Sequence, residues 1–584
     1  MFKMQLRSIR IIKLGIFSLI CACFTPFQQL VRAQSTGPGG VTIPPNTPSR
    51  IEQTIPKPTE TPLPSTPEPS KPPSLQVPSE DTPGASTTPS NEEINVRKIE
   101  VLGNTVLKDE INQIIKKYEN CSKQACSISF EELVQLRSTI TKLYIENGYI
   151  TSGAFILNNQ FLETGIVEIQ VVEGELEAIE INGLRRLQKE YVRSRLRLAS
   201  SPPLNRKRLE VALQLLQLEP LLQQVNAQLI AGSTPGRNIL QLQLQEAPAF
   251  NAGIVIDNNQ SPTIGSLQGV AFATYSNLLG LGDQFTAEYG LTEGLDIYTF
   301  NYKIPVNALD GTFNIRYSNN NSQIVEDQFD DLGIRSNSET LSFGFRQPLI
   351  KKPDTELALG LSFDLRRSQT FLLDNVPFSF SEGPESGKSR VTVIRFSQDW
   401  LQRNAKQVLA ARSQFSVGID AFDATINNNL TDGRFFVWLG QFQWVQQLSP
   451  KTLMLAKINA QLTPDALLPL EKISLGGVNT VRGYRQNQLV ADNGIIASLE
   501  LRLPITSDNL LQIRPFFDIG TVWNNQGEIT GPQTIAGLGL GLSWQPSNNL
   551  FLQLDYGIPL VAVEEEGNSL QEDGLYFSLR YQPF

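Results

Sequence analysis

The sequence predicts an α+β N-terminal part, made of two small modules in tandem, followed by an all-β transmembrane barrel of about 16 antiparallel strands. Three observations predict this arrangement. The chain opens with an export signal, and apolar residues recur at helical spacing in two stretches between residues 93 and 248. From residue 249 onward that spacing is replaced by alternation of apolar and polar residues. With 584 residues, the chain is long enough for several domains.

Composition excludes several classes of function. The net charge is -9, so the chain lacks the broad basic field that binds nucleic acid. Histidine is absent, which excludes Ser-His and Cys-His catalysis and histidine-ligated metals. We find no convergent nucleophile and base. We therefore predict no catalytic residues, no metal site and no cofactor.

The first 33 residues have the pattern of a secretory signal peptide. An apolar stretch, "LGIFSLICACF" at residues 14–24, follows a basic start and leads to a small-residue site at Val31-Arg32-Ala33. We predict cleavage after Ala33. The alternative is a lipoprotein signal that ends at Cys23.

A proline-rich linker is predicted at residues 34–92. Residues 34–90 contain 15 of the 36 prolines, mixed with Ser, Thr, Gly and Glu, so a packed core is not expected there. We predict an extended, mostly disordered spacer, with a docking tether, for example to the cell wall, as the alternative.

Residues 93–174 and 175–248 each predict the order strand, helix, helix, strand, strand. In the first module, Ser129 and Glu132 have the spacing of a capping box. Cys121 and Cys126 stand close together in an exported chain and predict a disulfide, because a CxxxxC pair without further ligands is a poor zinc site.

Residues 249–584 predict the barrel. In "IIASLELRL", residues 495–503, the apolar side chains share one face while Ser498, Glu500 and Arg502 share the other. Segments of this kind recur about sixteen times. Alternation with a period of two is typical of strands that face lipid on one side and a water-filled lumen on the other. A soluble sandwich also alternates, but only a closed sheet pairs every backbone group inside a membrane. Longer connections at 319–335 and 368–388 alternate with tight turns, as extracellular loops and periplasmic turns do.

Taken together, the export signal, the tandem modules, the barrel and the tetrad Val481-Arg482-Gly483-Tyr484 resemble the two-partner secretion transporters. These are the hemolysin and filamentous-adhesin exporters of the Omp85 superfamily. The modules resemble POTRA domains: "ENGYITSGAF" and "VEIQVVEGEL" match the end of the first, and "STPGRNILQLQLQE" matches the end of the second. The resemblance extends over the chain after the linker.

The resemblance implies that the loop bearing the tetrad folds back into the lumen. It also implies that Arg482 meets an acidic residue of the motif Phe516-x-Asp518-x-Gly520 on the barrel wall. Asp518 lies between Phe517 and Ile519, so it faces the lumen if those two side chains meet lipid. A guanidinium pairs with a carboxylate through two aligned hydrogen bonds. The alternative is an exposed salt bridge, worth at most about 1 kcal/mol.

Two features depart from the family pattern. The C-terminal assembly signal, Phe577, Leu579, Tyr581 and Phe584, is interrupted by Pro583, which puts Phe584 out of the apolar phase. Family members often carry an N-terminal plug helix, but the proline-rich tract makes a long helix before residue 90 unfavourable.

The resemblance implies an outer-membrane translocator with its POTRA-like domains in the periplasm. These domains would capture an unfolded exoprotein, a large β-helical protein, and the barrel would export it. Outer-membrane lipid and the barrel-assembly machinery are the other expected partners, and nucleic acid is not one. The alternatives are an outer-membrane protein insertase, which usually carries three or five POTRA domains, and a passive porin-like channel.

Overall fold

The structure is a computed structural model that describes most of the chain after residue 46. The described residues are 47–54, 75–76, 93–118, 126–157, 165–428, 431–527, 529, 531–563 and 567–584. The predicted signal peptide, with its cleavage site at Ala33, lies outside them, and so does Cys121. Among the described residues, no helix combines the length and the apolar character needed to cross a membrane.

The predicted linker contains a helix, α1 (Thr47–Thr54), which corrects the expectation of disorder at these residues. The helix fits between prolines for a physical reason. Pro48 falls in the first turn, where backbone N–H groups have no intrahelical partner, and Pro56 follows shortly after the last turn. Thr47, Arg50, Ile51 and Thr54 are all buried, so packing stabilises a helix that is short for its own propensity.

The first module spans residues 93–174, apart from the gaps in the described residues. The short strand β1 (Leu75–Gln76) precedes this module in the chain. The elements of the module are β2 (Glu93–Val96), β3 (Lys98–Leu102), α2 (Lys108–Ile115), β4 (Cys126–Ser129), α3 (Phe130–Glu146), β5 (Gly153–Ile156) and β6 (Ile166–Val172). The predicted capping box at the start of α3 is confirmed, since the Ser129 and Glu132 side chains each bond to the other's backbone N–H. The sheet has the order β3-β6-β5.

The second module has the predicted order strand, helix, helix, strand, strand, whereas the first contains two additional short strands, β2 and β4, which pair with each other. The three main strands pair in the same way in both modules. The second module consists of β7 (Glu175–Asn182), α4 (Lys189–Arg197), α5 (Arg206–Gln217), β8 (Leu222–Ala231) and β9 (Arg237–Glu246). In both modules the first long strand lies parallel to the last, and the last two strands are antiparallel. The short strand β1 pairs in parallel with β8 at Ala227 and Gln228, which is a second correction to the expected linker.

Each module ends in a glutamate whose carboxylate accepts hydrogen bonds from the turn after the first long strand, β3 or β7. Glu173 accepts hydrogen bonds from Thr105 N (2.7 Å), Val106 N (3.2 Å) and Tyr144 Oη (2.8 Å). In the second module, Glu246 accepts from three successive backbone N–H groups, Arg185 to Leu187. Burial opposes ionisation of both carboxyls, but these hydrogen bonds outweigh it and lower both pKa values.

Sixteen long strands close into the barrel. The closed sheet of the described residues contains seventeen strands, and one of them, the two-residue β17, pairs only with β16. The strands are β10 (Phe250–Asp257), β11 (Gln268–Ser276), β12 (Gln284–Leu291), β13 (Leu295–Pro305), β14 (Thr312–Gln323), β15 (Arg335–Lys351), β16 (Thr355–Leu372), β17 (Val376–Pro377), β18 (Lys388–Arg403), β19 (Gln407–Ile419), β20 (Phe435–Gln447), β21 (Leu453–Leu462), β24 (Asn493–Pro504), β25 (Leu511–Trp523), β26 (Thr534–Ser547), β27 (Leu550–Pro559) and β28 (Leu575–Tyr581), while β22 (Ile473–Leu475) and β23 (Leu489–Ala491) form a separate hairpin. Pairing of β28 with β10 closes the sheet.

Alternation along the strands sets an apolar outer face against a polar inner one. On β25, Phe517 and Ile519 are exposed while Asp518 between them is fully buried. On β26, Leu538 and Leu540 are exposed, and glycines alternate with them. The long connections are shorter than predicted, because β14 and β15 cover residues up to 323 and from 335, and β16 runs to Leu372.

The second module is attached to the mouth of the barrel by ion pairs. Arg195 of α4 pairs with Asp310, in the turn between β13 and β14, at 2.9 Å from its Nε. Lys351 at the end of β15 pairs with the same Asp310 and with Glu219 of the module, the latter at 3.1 Å. The Arg195 guanidinium also lies 3.4 Å from the centre of the Tyr191 ring. These contacts fix one module at the barrel mouth.

Candidate functional site

The candidate site is the connection between β21 and β24, residues 463–492, here called the lumen loop. It contains the hairpin of β22 and β23 and then the predicted tetrad. Val481 is fully buried in an apolar cluster that joins the loop to the barrel wall. That cluster consists of Ile473, Leu475, Val481, Tyr484, Leu489, Ala491, Ile496, Val522 and Ile535.

Arg482 meets Asp518 inside the barrel. Its Nε lies 2.7 Å from one carboxylate oxygen of Asp518 and its Nη2 lies 3.0 Å from the other, which is the fork geometry. The Arg482 backbone N–H also donates to Asp518, at 3.2 Å. Only 6% of Arg482 and none of Asp518 is exposed, so the exposed salt bridge considered above is not what the structure contains.

The structure adds three charged residues to this pair that the sequence analysis did not connect to it. Arg482 Nη1 lies 2.9 Å from Glu500 on β24 and 3.7 Å from Asp555 on β27. Arg514 on β25 in turn lies 2.8 Å from Asp555 and 3.5 Å from Glu500. We call these five residues the arginine cluster. The alternation of apolar and polar residues along the strands places the four wall residues on the inner face. Which of them are in contact depends on the register between the strands.

The other positions of the wall motif also contact the loop. The guanidinium carbon of Arg482 lies over the Phe516 ring, 3.4 Å from the ring centre, which is a cation–π contact in a buried site. A Cβ at Gly520 would come 2.3 Å from Leu475 of the loop. Phe516 and Gly520 therefore shape the surface that receives the loop.

Glycines let the loop backbone approach the wall. Gly483 has a φ of 101°, a conformation that favours glycine, and its N–H donates to the Tyr576 hydroxyl at 2.9 Å. On β26, a Cβ at Gly537 would come 2.0 Å from the Arg482 carbonyl oxygen. The run of small residues on β26 is thus a seat for the loop backbone.

Tyr484 and Arg485 bind the lumen loop to β26 and to connections between other barrel strands. The buried Tyr484 hydroxyl donates to the Ala536 carbonyl at 2.8 Å and accepts from Val561 N–H at 3.0 Å. Arg485, which the sequence analysis did not select, is fully buried and pairs with Glu326 and Glu572, the latter at 3.2 Å. Its position in the sequence, directly after the tetrad, is the feature from which its role could have been predicted.

Helix α1 packs against the lumen loop and the barrel. Its Glu52 pairs with Lys472 of the loop at 2.9 Å, and its Arg50 pairs with Glu326 at 3.4 Å. Ile51 borders a small cavity together with Ser368 and Thr370 of β16. The expectation that the prolines exclude a long helix is compatible with this short one.

The remaining predicted site residues lie away from the loop. Cys126 is disulfide-bonded, and its predicted partner Cys121 lies outside the described residues. Of the predicted assembly signal, Phe577, Leu579 and Tyr581 belong to β28. Phe584 follows the end of that strand, is 69% exposed, and has its ring centre 6.1 Å from that of Phe250.

The comparison with known protein families identifies the larger part of the chain. The profile of the haemolysin secretion/activation protein ShlB/FhaC/HecB matches residues 236–544, which is more than half of the chain. The chain belongs to this family. A second profile, the ShlB-type POTRA domain, matches residues 94–174. The chain is therefore an outer-membrane transporter of the two-partner secretion type, in which the POTRA region lies in the periplasm.

Curated ShlB/FhaC/HecB-type relatives are distant in sequence but similar in extent. The outer membrane transporter CdiB of Dickeya dadantii is 23% identical, over 74% of this chain and 77% of that protein. The hemolysin transporter protein ShlB of Serratia marcescens is 25% identical, over 63% and 65% respectively. The proteins that the comparisons name as relatives are transporters.

Solved structures show the same fold. CdiB from Escherichia coli superposes with a TM-score of 0.64 at 21% identity, covering 86% of this chain and 93% of that one. BamA from Haemophilus ducreyi lacking POTRA domains 1-3 superposes with a TM-score of 0.52 at 14% identity, covering 84% and 100%. Both likenesses are ones of fold alone.

Proposed function

We propose that this transporter captures an unfolded exoprotein through its two periplasmic modules and passes it through the barrel while the lumen loop releases part of its hold. One observation carries the proposal: a loop of about thirty residues is bound inside the pore through buried ion pairs rather than apolar packing alone. The ion pairs themselves separate without exposing apolar surface, so they suit the part of the attachment that is released, while the apolar cluster holds the rest of the loop. Transport by this route involves no catalysis.

Capture is assigned to the open edge of the first module. Among the described residues, β5 pairs only with β6, and Phe155 on β5 is 47% exposed. An extended segment added beside β5 would complete its backbone hydrogen bonds and rest on Phe155. The corresponding edge strand of the second module, β8, is already paired with β1 over two residues.

A photo-crosslinking amino acid in place of Phe155 tests the capture site. We expect it to crosslink an unfolded exoprotein segment, whereas the same probe at Val211, an exposed position on helix α5, should not. Equal crosslinking at both positions would contradict capture at β5.

Helix α1 is proposed to close the resting pore. Its buried residues and its ion pairs to the lumen loop and to Glu326 place it against both movable and fixed parts of the barrel. Outer-membrane lipid is the proposed partner of the strand face that carries Leu538 and Leu540. The barrel-assembly machinery is the proposed partner of the C-terminal signal, which consists of Phe577, Leu579, Tyr581 and Phe584. The cargo is proposed to be a large secreted β-helical protein.

The decisive experiment is Arg482→Ala. We expect a barrel that assembles in the outer membrane but loses export, because the loop no longer occupies its seat on the wall. The matched control is Arg316→Ala on β14, where the neighbouring Ile315 faces lipid and the arginine therefore faces the lumen. Full export by a correctly inserted Arg482→Ala variant would remove the loop from the mechanism.

The insertase and porin alternatives predict different outcomes. An insertase should deplete many outer-membrane barrels when it is removed, while a dedicated transporter should abolish secretion of one protein. A passive channel should admit small solutes and export no protein. The named relatives are transporters, which supports the dedicated role.

A further inference from the structure

The lumen loop is held at a second place that belongs to neither the tetrad nor the arginine cluster. Glu471 precedes the hairpin of the loop, eleven residues before Arg482. Only 2% of Glu471 is exposed, although its side chain is a carboxylate. A carboxylate buried to this extent needs cationic partners to remain ionised.

Two arginines on the barrel wall supply those partners. Arg395 of β18 approaches both Glu471 oxygens through its Nη2 at 2.9 Å, and Arg366 of β16 approaches one of them through its Nη1 at 2.6 Å. Arg366 also donates to the carbonyl of Leu470, so it binds the loop backbone as well. The contact involves a side chain and the main chain of the loop.

Arg395 is positioned by other residues of the wall. Arg395 donates from Nε to Asp364 at 2.6 Å and from Nη1 to Ser416 of β19 at 2.9 Å. Asp364 and Glu471 balance Arg366 and Arg395, so the group is neutral when the loop is docked. When the loop leaves, this group loses one of its two carboxylates.

This second contact reverses the polarity of the first and lies in another sector of the barrel. In the arginine cluster the loop supplies the cation and the wall supplies carboxylates; here the loop supplies the carboxylate and the wall supplies cations. The first sector comprises β24, β25 and β27, and the second comprises β16, β18 and β19. Strands β20 and β21 separate them in the sheet.

Helix α1 meets the loop beside this second contact. Lys472, the residue after Glu471, pairs with Glu52 of the helix, and Ile51 lies beside Ser368 and Pro469. Residues 471 and 472 therefore connect the barrel wall to the helix through adjacent side chains of the loop.

We propose that Glu471 is a positioning residue, and that with Arg366 and Arg395 it forms a clamp for the first half of the lumen loop that opens separately from the arginine cluster. The inference rests on the proposed function in treating the loop as a movable element. It adds that the loop has two separable attachments, and that the attachment at Glu471 is the one next to helix α1.

Cysteine accessibility tests this without any cargo. A single cysteine is introduced at Ser474, near Glu471, or at Thr480, near Arg482, and its rate of reaction with a bulky membrane-impermeant maleimide is measured in the full-length, outer-membrane protein. The rate of the parent protein is subtracted. With Glu471→Gln, we expect the rate at the Ser474 position to rise about tenfold, because two buried arginines lose their shared partner. At the Thr480 position the rate should change by less than about twofold.

Matched variants separate loop release from general loosening. Arg412→Gln breaks a wall ion pair with Asp399, 2.6 Å long, on the strands of the same sector, and should leave both rates unchanged. Glu471→Asp keeps the charge and should give an intermediate rise. It also provides the measurement if Glu471→Gln fails to assemble.

Three results would overturn the inference. An unchanged rate at the Ser474 position in an assembled Glu471→Gln or Glu471→Asp protein shows that Glu471 does not hold the loop. An equal rise at both positions shows that the loop leaves as one unit. An equal effect of Arg412→Gln shows that the wall rather than the clamp responds. Normal export by the Arg482→Ala variant would instead contradict the proposed function. The labelling rates would still report whether Glu471 holds the loop.

Discussion

The periplasmic modules and the barrel are both built from alternating strands, yet they bury opposite kinds of side chain. The modules enclose Leu, Ile and Val side chains, with Ile140 and Leu213 fully buried. The barrel exposes many apolar side chains and, beside one apolar cluster under the lumen loop, buries ionised ones, including Arg482, Asp518 and Glu471. The period of a strand decides which residues share a face, but the surroundings decide which face is inside.

The difference also concerns what holds each part together. The apolar cores of the modules are stabilised by removing surface from water, which is non-directional and tolerates exchange of similar side chains. The barrel interior relies on ion pairs with fixed geometry, and a missing partner leaves a charge buried. Changes of one atom or one charge should therefore act more severely in the barrel.

The largest expected effect comes from removing one member of the arginine cluster. Asp518→Ala should lower barrel stability by about 3–5 kcal/mol, because Arg482 is left buried without its bidentate partner. The measurement is the temperature at which the folded barrel loses its compact migration in a detergent gel. Asp331→Ala, at an exposed carboxylate, is the control. Equal midpoints for the two variants would refute the importance of the buried pair.

A smaller effect is expected from a single methyl group on the loop seat. Gly537→Ala should destabilise the docked loop by about 1–3 kcal/mol, because the new Cβ would overlap the Arg482 carbonyl. Gly269→Ala is the matched change on β11, where a Cβ meets no atom within 4 Å. Pore conductance in a planar bilayer should change only for the first variant, and parallel behaviour of the two would contradict the steric explanation.

The smallest effect belongs to the modules and depends on pH. The pKa of Glu173 lies below its ordinary value of 4.5 in the folded module, so its stabilisation is complete above that value and is lost as pH falls through the folded pKa. Glu173→Gln should remove about 1 kcal/mol at neutral pH and flatten the acid dependence below pH 4.5.

The two regions carry separate spectroscopic probes for this measurement. All five tryptophans lie on barrel strands, whereas the long helices lie in the modules. Urea unfolding followed by helical circular dichroism should therefore shift for Glu173→Gln while tryptophan fluorescence does not. A shift of both signals would mean that the modules and the barrel unfold together.

The sequence predicted the order of the second module and the sixteen long strands of the barrel, but not the short strands β2 and β4 of the first module. The family resemblance, together with the alternation along β25, supplied the pairing of Arg482 with Asp518. Alternation alone placed Glu500 and Asp555 on the inner face, but it does not report which inward residues on different strands are neighbours. That depends on strand register, so the full arginine cluster and the Glu471 clamp were not foreseen. Helix α1 was missed because proline content argues against helices, while burial of Ile51 and the ion pairs of Arg50 and Glu52 favour one at this place.

The contact of Asp310 with Arg195 and Lys351 has a consequence for how a cargo chain finds the pore. In the proposed function, cargo is held on the first module, whose Gly148 carbonyl accepts a hydrogen bond from Arg206 N–H of the second module at 2.8 Å. Because the second module is in turn fixed at the barrel mouth, the held cargo segment and the pore entrance belong to one body. The next segment of that cargo then meets the entrance at an effective concentration set by a short flexible tether, about millimolar, rather than by its concentration in the periplasm. Threading becomes an intramolecular step, and a scarce exoprotein is exported as readily as an abundant one once its first segment is held.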